Sequence, residues 1–452
     1  MIIKPDARRV AWDILCQVES AKSSDPVMER ALGASDLSPL DRAFITELVY
    51  GVLRRRGYLD WAIGRFAARA RQRQSVKLKN LLRLGSYQLL FLDRVPASAA
   101  VDESVRLAKT FGGKSVAGFV NAVLRALTRA ETIPLPDPSD DPVLHISVKY
   151  SHPEWLVKRW LGRLGPERTV ALCVANNEIP PVTVRVNSLR AAREALAAEL
   201  KGEGIEATPC RVSSAGLMLR GVADLRQLAA YRRGAFYIQD EAAQLVGFTV
   251  DPKPGERLLD ACAAPGGKST HLAELMGDRG EITAADADPK RLERVAQNAA
   301  RLGLGSVRPV AVDATRSLEA LGRVLYDRIL IDAPCSGLGI LRRNPEAKWY
   351  KTEALIGRLA ALQSKILDRV SPRLKPGGVL VYSTCTTEPE ENEEVIGAFL
   401  AGHREFRVDS LRTFWSEAPE LVTPEGYLDT VLNSCQMDNF FAAKLIKQSK
   451  GA

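Results

Sequence analysis

The sequence predicts a multidomain protein with an all-α N-terminal domain, a small α+β module and a Rossmann-like α/β domain whose sheet is mostly parallel. Its 452 residues suit about three domains. Apolar residues recur at helical spacing over the N-terminal region, and near-continuous apolar strands alternate with helices from residue 237 onward. The predicted domains cover residues 1–140, 145–235 and 236–449.

Composition narrows the class of protein. The chain is 46% hydrophobic and 26% charged, as folded proteins are, and its net charge of +9 favours polyanionic partners, nucleic acid first. No apolar run approaches the ~18 residues of a membrane span, and the first residues lack a signal-peptide core. Seven cysteines without a Cys-x-x-Cys pair, and only four histidines, argue against disulfides, a zinc site and metal catalysis. We therefore expect a cytoplasmic protein that binds no metal and no membrane.

The N-terminal region has a helical and basic pattern. Apolar residues recur at helical spacing over residues 10–18, 44–52, 81–91, 101–111 and 116–127. Between Gly51 and Arg83 there are ten Lys or Arg and one acid, Asp60. Residues 54–56 and the basic residues of 65–83 could form a phosphate-binding face for RNA. The alternative is a solvated basic surface.

A proline-rich stretch and a mixed segment follow. Residues 132–142 carry four prolines with Asp and Ser, which is typical of a linker or a surface loop. In the module after it we expect a helix near Trp155, a strand over 181–187, a helix over 189–200 and a short strand over 216–219.

The C-terminal domain alternates strands with helices. The predicted strands are residues 258–260, 281–286, 307–313, 327–332 and 378–383. Because these strands are apolar on successive residues, we expect a parallel sheet that is covered on both faces.

The first of these strands leads into residues 260–269, Asp-Ala-Cys-Ala-Ala-Pro-Gly-Gly-Lys-Ser, and then into a helical pattern. Strand, small-residue turn and helix form the first unit of a doubly wound fold. The glycines let the backbone approach a ligand closely, and the helix start offers unpaired N–H groups. The stretch is not a phosphate-binding loop, because Cys262 stands at the first glycine position, and it lacks the dinucleotide fingerprint. A purely structural turn is the alternative.

Four of the predicted strands end in an acidic residue. These residues are Asp260, Asp286, Asp313 and Asp332. In open α/β sheets, ligands bind beyond the carboxyl ends of the strands. At the second strand end, Asp286 can accept hydrogen bonds from both ribose hydroxyls of a nucleoside. A helix N-cap is the alternative for such an acid, although Asp288 can fill that role, and the recurrence on successive strands favours a nucleoside site.

Two cysteines lie in turns just past two of the strands. Cys335 and Cys385 are 50 residues apart, but both should face one crevice. Buried cysteines ordinarily behave as small apolar residues, as we expect for Cys16, Cys173, Cys210 and Cys435. A turn rich in Pro, Ser and Thr can instead expose and stabilise a thiolate, which favours a nucleophile here. The five glutamates within residues 388–394 are expected to complement the start of a helix.

Several motifs give the chain a specific resemblance. Residues 260–269, 332–336 (Asp-Ala-Pro-Cys-Ser) and 383–386 (Ser-Thr-Cys-Thr) resemble the motifs of RNA cytosine-5 methyltransferases. The runs at residues 185–187, 239–241 and 391–393 agree with that family. The N-terminal region resembles the RNA-binding NusB-like domain, for example in residues 50–54 and 119–125. The whole chain thus resembles the ribosomal RNA small subunit methyltransferase B group.

The resemblance implies an enzyme that uses S-adenosyl-L-methionine to methylate carbon 5 of a cytosine in 16S rRNA. By family match, Cys385 is the nucleophile that adds to C6, Asp332 contacts the N3 edge and Cys335 assists release of the adduct. Thiolate addition turns a poorly nucleophilic ring into an enamine. The target base must leave its stack to reach Cys385.

The resemblance also implies a cofactor site. The turn after the first strand would wrap the methionine and ribose portions, Asp286 would take the ribose hydroxyls, and Asp313 would face the adenine amino group. Lys268 would hold the cofactor carboxylate or steady Asp332; the alternative is an exposed lysine at a helix start. The turn's Cys262 is not expected to be a nucleophile. The cofactor-binding candidates are Cys262, Ala263, Ala264, Pro265, Gly266, Gly267, Lys268, Asp286, Arg291, Asp313 and Asp332.

Other functions compete with this interpretation. The same chemistry on tRNA is the nearest, although the NusB-like region favours rRNA. A non-catalytic RNA-binding or assembly protein with a vestigial methyltransferase domain is disfavoured by intact Cys385, Cys335 and Asp332. A dehydrogenase is disfavoured by the missing dinucleotide fingerprint. We expect a monomer that acts on free 16S rRNA or on a partly assembled small subunit.

Overall fold

The computed structural model describes residues 6–33, 37–67, 75–222, 224–431 and 437–449. The chain forms two compact units. One comprises Met1–Ile179 with Leu341–Lys351, and the other comprises Pro180–Ile340 with Thr352–Ala452. Cys435 and the basic residues between 68 and 74 fall outside the described residues.

The first unit is helical. Its helices are α1 (Ala7–Ala21), α2 (Asp25–Gly33), α3 (Pro39–Phe66), α4 (Val76–Phe91), α5 (Ala97–Arg129), α6 (Pro142–Lys149) and α7 (Glu154–Ala175). The apolar stripe predicted over residues 10–18 is largely buried, since Ile14, Leu15 and Val18 are at most 2% exposed. The two helices predicted over 101–111 and 116–127 lie within α5, where Gly113 at φ 66° interrupts the helical backbone.

The prediction that residues 54–56 and the basic residues of 65–83 form a phosphate-binding face is wrong for two arginines, which are buried. Arg83 is buried, and its guanidinium donates to both carboxylate oxygens of Asp60 at 2.7 Å and to Glu19 at 3.0 Å. Arg54 is also buried and donates to the carbonyl of Arg342 at 3.1 Å. These two guanidinium groups donate to acceptors inside the protein and are therefore not available for phosphate, whereas Arg65 is exposed.

A distant segment of the chain completes the helical unit. Residues 341–351, which include α13 (Ala347–Tyr350), belong to this unit although they follow the α/β strand that ends at residue 332. Leu341 and Lys348 are fully buried. The Lys348 ammonium donates to the carbonyl of Arg54 and to Oδ1 of Asn177, both at 3.1 Å. No feature of the sequence predicted this insertion.

The second unit contains a small antiparallel sheet. Its strands are β1 (Val182–Val186), β2 (Glu206–Pro209), β3 (Gly216–Arg220) and β4 (Phe236–Ile238), in the order β2-β3-β1-β4. Two helices accompany it, α8 (Arg193–Gly202) and α9 (Ala229–Arg232). The strands predicted at 181–187 and 216–219 are present, and the helix predicted from Leu189 begins at Arg193.

A larger sheet follows in the same unit. Its strands are β5 (Arg257–Asp260), β6 (Glu281–Asp286), β7 (Val307–Ala311), β8 (Tyr326–Asp332), β9 (Leu374–Thr384), β10 (Phe406–Val408), β11 (Leu428–Asp429) and β12 (Phe441–Lys447). The order is β10-β12-β9-β8-β5-β6-β7, with β11 paired to β12. From β9 to β7 all pairs are parallel, whereas β12 and β10 are antiparallel additions.

Helices surround this sheet and bury both of its faces. They are α10 (Glu241–Val250), α11 (Gly267–Leu275), α12 (Pro289–Leu302), α14 (Glu353–Val370) and α15 (Glu393–Gly402). Neighbouring strand residues enter different apolar clusters: Leu258 packs with one and Leu259 with the other. This explains the near-continuous apolar strands. Among the residues that the structure describes, no helix is both long and apolar enough to cross a membrane.

Candidate active site

The carboxyl ends of four parallel strands bring the predicted site residues to one edge of the sheet. From β5 the chain proceeds to β6 and β7 on one side, then returns to place β8 and β9 on the other. The crevice at such a reversal is where doubly wound sheets bind ligands. Asp260, Asp286 and Asp332 end β5, β6 and β8, and Cys385 directly follows β9.

The turn after β5 borders the crevice, and its two glycines pack closely against neighbouring residues. Gly266 has φ 101°, which favours glycine, and a Cβ there would lie 3.1 Å from the backbone of Val295 in α12. A Cβ on Gly267 would lie 3.0 Å from the ring of Tyr237. Internal packing therefore restricts side chains at both positions, and the close approach of a ligand to this turn stays a prediction. The Ala264–Pro265 peptide bond is cis.

Asp286 is the most buried of the acids predicted to bind the cofactor, with a side chain only 6% exposed. The backbone N–H of Ala264 donates to its Oδ2 at 3.2 Å, and that of Asp288 to its Oδ1 at 3.0 Å. The guanidinium of Arg291 lies 3.5 Å from Oδ2 and also donates to the carbonyl of Ala264 at 2.8 Å. Asp288 caps α12. The N-cap role thus belongs to Asp288, and ribose binding by Asp286 stays a prediction.

Asp313 lies two residues past β7 and is more open. Its Oδ1 accepts from the backbone N–H of Thr315 at 2.9 Å and from the hydroxyl of Thr315 at 2.6 Å. These hydrogen bonds, with the nearby charge of Arg316, lower the pKa of Asp313. The carboxylate is held by its own turn, and its side chain is 38% exposed.

Lys268 pairs with Asp332. Its ammonium donates to Oδ2 of Asp332 at 2.6 Å and lies 5.1 Å from the centre of the Phe440 ring. Its side chain is 11% exposed, so the alternative of a solvated surface lysine is wrong. Burial alone would lower the pKa of Lys268, but the charge and hydrogen bond of Asp332 raise it. Asp332 also accepts from the hydroxyl of Ser383 at 2.9 Å.

The two predicted thiols are in direct contact. The sulfur atoms of Cys335 and Cys385 are 3.3 Å apart, and the backbone N–H of Cys385 donates to Sγ of Cys335 at 3.4 Å. The hydrogen bond with Cys335 and then burial raise the pKa of the Cys385 thiol well above its ordinary value, with a further contribution from Asp332. Lys268 opposes that rise.

Asp260 at the end of β5 and the partly buried Cys262 in the turn after it also have shifted pKa values. Asp260 is fully buried and accepts from the hydroxyl of Ser269 at 2.6 Å. Burial raises its pKa to about 7, although the Ser269 hydrogen bond opposes the shift. Burial, then the charges of Asp260 and Asp332, raise the pKa of Cys262 well above its ordinary value. The pKa of the Cys385 thiol is raised as well, so these shifts do not distinguish the two thiols.

The glutamates after Cys385 do not share one role. Glu393 and Glu394 lie in the first turn of α15, as expected. Glu391 is fully buried instead, and accepts from the backbone N–H of Ser336 at 2.8 Å and from the Ser336 hydroxyl. Glu391 lies in the short 3-10 helix Pro389–Glu391 just before α15, and its carboxylate is hydrogen-bonded to Ser336. Sequence gave no sign of this contact, because its partner lies 55 residues away.

The hydrogen bonds of Arg185, like those of Glu391, could not be predicted from the sequence. Its guanidinium is fully buried and donates to both carboxylate oxygens of Glu274 in α11, at 2.9 and 2.8 Å. It also donates to the carbonyl of Gly267 at 2.7 Å. A paired and bidentate arginine of this kind holds its partners in a fixed geometry. Arg185 therefore fastens the start of α11, on which Lys268 lies, to β1.

Comparisons with known proteins follow the same domain order. A family model described as 16S rRNA methyltransferase RsmB/F matches residues 247–446, the NusB family matches residues 5–129, and an RsmF/B-like ferredoxin-like domain matches residues 152–226. The chain is 37% identical over 452 residues to the probable ribosomal RNA small subunit methyltransferase B of Bacillus subtilis (strain 168), covering 98% of this chain and 99% of that protein. The chain belongs to the ribosomal RNA small subunit methyltransferase B family.

Other relatives agree with this membership. The protein of the same name from Synechocystis sp. is 39% identical over 451 residues, covering 98% of this chain and 99% of that protein. The crystal structure of PH0851 is similar with a TM-score of 0.84 at 29% identity, covering 99% of this chain and 100% of that one. As a member of the methyltransferase B family, the chain has the predicted fold class: a NusB-like helical domain, a small ferredoxin-like module and a methyltransferase domain with a mostly parallel sheet.

Proposed function

We propose that this protein uses S-adenosyl-L-methionine to methylate carbon 5 of a cytosine in 16S rRNA, through a covalent adduct with Cys385. The observation that carries the proposal is the grouping of two touching thiols, Cys385 and Cys335, with the Lys268–Asp332 pair at one sheet edge. Its curated relatives are named as small subunit rRNA methyltransferases, which supports 16S rRNA as the partner.

The residues on the cofactor side fit a nucleoside. When bound, the cofactor supplies a methyl group on a positively charged sulfonium. An ionised carboxylate has about four acceptor sites, and Asp286 uses its oxygens for two N–H groups and Arg291. About one acceptor site therefore remains for a ribose hydroxyl. Asp313, ionised because its pKa is lowered, can accept from an adenine amino group, and the turn at residues 262–268 would hold the remainder.

On the substrate side, Cys385 performs the addition. Its thiol gives a proton to solvent, and the thiolate forms a bond to C6 of the cytosine. The electron pair of the C5–C6 double bond moves into the C4–C5 bond, and the pair of the C4–N3 double bond moves to N3. N3 then takes a proton from the Lys268–Asp332 pair. The resulting enamine carries nucleophilic character at C5, where the methyl group is received. The Lys268 ammonium lies 2.6 Å from Oδ2 of Asp332, so this proton is held beside the carboxylate that would contact N3.

Release reverses the addition. The thiolate of Cys335 takes the proton from C5, the bonding pair restores the C5–C6 double bond, and the bond between Cys385 and C6 breaks. The proton on N3 returns to the Lys268–Asp332 pair, which restores its starting state. A base must lie close to the adduct for this step, and Cys335 Sγ is 3.3 Å from the sulfur that would form the adduct.

The test is methyl transfer from labelled cofactor to unmodified 16S rRNA, either free or in partly assembled small subunits, with tRNA as the competing substrate. Nuclease digestion then maps the label. We expect 5-methylcytosine in 16S rRNA; label confined to tRNA would reassign the substrate, and label in neither RNA would overturn the proposal.

Two variants test the roles of the thiols. Cys385→Ala should reduce transfer below detection, because the thiolate that adds to C6 is gone. Cys335→Ala should form adduct but release it slowly, so a protein–RNA species that survives denaturing electrophoresis should accumulate. Cys173→Ala, a buried thiol of the helical unit, is the control and should behave as the unaltered protein. Normal turnover by Cys385→Ala would reassign the nucleophile.

A further inference from the structure

Glu391 and Asn392 form a buried clasp behind the two thiols. We propose that Glu391 is a positioning residue that holds the Cys335 loop in place and so sets the rate at which the RNA adduct is released. This inference rests on the proposed function, because it assigns Glu391 an effect on one step of that reaction. The carboxylate of Glu391 is hydrogen-bonded to Ser336, which is next to Cys335, and to Gln363 of α14.

One side of the clasp holds the residues on either side of Cys335. The carboxylate of Glu391 accepts from the backbone N–H of Ser336 at 2.8 Å and from the Ser336 hydroxyl. It also accepts from the side-chain amide of Gln363 at 3.0 Å, and that amide donates to the carbonyl of Pro334 at 3.0 Å. The two neighbours of Cys335 are therefore linked to one carboxylate, Ser336 directly and Pro334 through Gln363.

The other side of the clasp holds the Cys385 loop. The side-chain amide of Asn392 donates to the carbonyl of Thr386 at 3.1 Å, and its Oδ1 accepts from the hydroxyl of Thr384. The hydroxyls of Ser336 and Thr386 are 2.7 Å apart and close the ring between the two loops. Because Glu391 and Asn392 are adjacent, one turn of the chain fixes the spacing of both thiols.

The loops differ in how far they depend on this clasp. Cys385 directly follows β9, which pairs with β8 on one side and with β12 on the other. Cys335 lies three residues past the end of β8. Without the carboxylate, the buried N–H of Ser336 would lack an acceptor, and the loop would have to move to find one. Misplacement should therefore affect Cys335 first.

This difference yields a selective prediction. In Glu391→Ala, addition by Cys385 should continue while release slows about tenfold or more, as the loss of a buried hydrogen-bond acceptor suggests. Adduct should accumulate as it does in Cys335→Ala. Glu391→Gln retains an acceptor for Ser336 and should restore much of the release rate. Glu394→Ala is the matched control, since Glu394 is exposed on α15.

The measurements are single-turnover rates of adduct formation and of product release, with the thermal unfolding midpoint of each variant. Equal slowing of both steps in Glu391→Ala, or no rescue by Glu391→Gln, would mean that Glu391 is merely structural and would overturn the inference. Should Glu391→Ala not fold, Ser336→Ala removes the hydroxyl contacts with Glu391 and Thr386, keeps the backbone N–H bond to Glu391, and must also slow release. If the unaltered protein forms no methylated RNA, the proposed function itself is wrong. That result is distinct from a wrong role for Glu391, which requires an active unaltered protein.

Discussion

The reactivity of Cys385 depends on groups that act in opposite directions. Its hydrogen bond with Cys335, its burial and the charge of Asp332 disfavour the thiolate, whereas Lys268 favours it. With its pKa raised, the thiol is protonated at neutral pH, and the thiolate fraction increases as the pH rises toward that pKa. Binding of a positively charged ligand would move the same balance toward the thiolate.

Removing Cys335 should therefore make Cys385 ionise at lower pH. In Cys335→Ala the largest contribution to the raised pKa is lost, so alkylation of Cys385 should reach its half-maximal rate at a lower pH than in the unaltered protein. The measurement is modification by iodoacetamide from about pH 6 to about pH 10, quantified on the Cys385 peptide by mass spectrometry. Cys173→Ala should leave the profile unchanged. An identical midpoint in Cys335→Ala would show that Cys335 does not control the titration.

Sequence could place the acids and thiols of the site but not their supports. Asp286, Asp332, Cys335 and Cys385 were predictable because residues that follow parallel strands share one sheet edge. Glu391 was not, since its partner Ser336 is 55 positions away and a glutamate before a helix has an ordinary explanation. Such contacts depend on how loops fold over one another, which local pattern does not encode.

At the scale of elements, close helix packing in the helical unit depends on glycine. A Cβ on Gly51 of α3 would lie 2.1 Å from the ring of Tyr87 in α4. The Tyr87 hydroxyl donates to Glu47 at 2.5 Å, so the ring cannot move aside without losing that hydrogen bond. Gly118 in α5 has open space around it.

These two glycines should respond oppositely to the same substitution. Gly51→Ala should lower the free energy of unfolding by about 1–3 kcal/mol, because it overpacks the interface of α3 and α4. Gly118→Ala should be neutral or stabilising by up to about 1 kcal/mol, because alanine has the higher helix propensity. Urea unfolding followed by circular dichroism measures both. Equal stability of the two variants would mean that the helices adjust to the added methyl group.

Element prediction succeeded where burial was strongest. The parallel strands β6 and β8 agree with the predicted residues to within one position, because both of their faces are covered and their sequences are apolar throughout. The predicted strand at 378–383 lies inside the longer β9. The short strands β2 and β10, at sheet edges, left no such pattern.

At the scale of the whole molecule, order along the chain and order in space differ. The division into residues 1–140, 145–235 and 236–449 stays a prediction, since the compact units group residues in another way. The clearest example is the segment 341–351, which lies within the third predicted domain in sequence but belongs to the helical unit in the fold. Only five residues separate it from Cys335.

The helical unit should therefore lose stability when this segment is replaced. Glu346 accepts from the backbone N–H of Ser24 at 2.8 Å, and the indole of Trp349 donates to the carbonyl of Leu53 at 3.0 Å. Leu341 is fully buried. Exchanging residues 341–351 for a Gly/Ser linker of equal length removes these contacts, which should cost about 3 kcal/mol or more.

Hydrogen exchange measured by mass spectrometry on the full chain locates that loss. Faster exchange is expected in α3, whose carbonyls at Leu53 and Arg54 accept hydrogen bonds from the segment, while β5 and β6 should keep their protection. Leu325→Ala, at a residue 45% exposed in the other unit, is the control and should change neither region. Unchanged protection of α3 in the linker variant would mean that the helical unit is stable without the inserted segment. Slower exchange is not expected anywhere, because the linker contributes no apolar surface to bury.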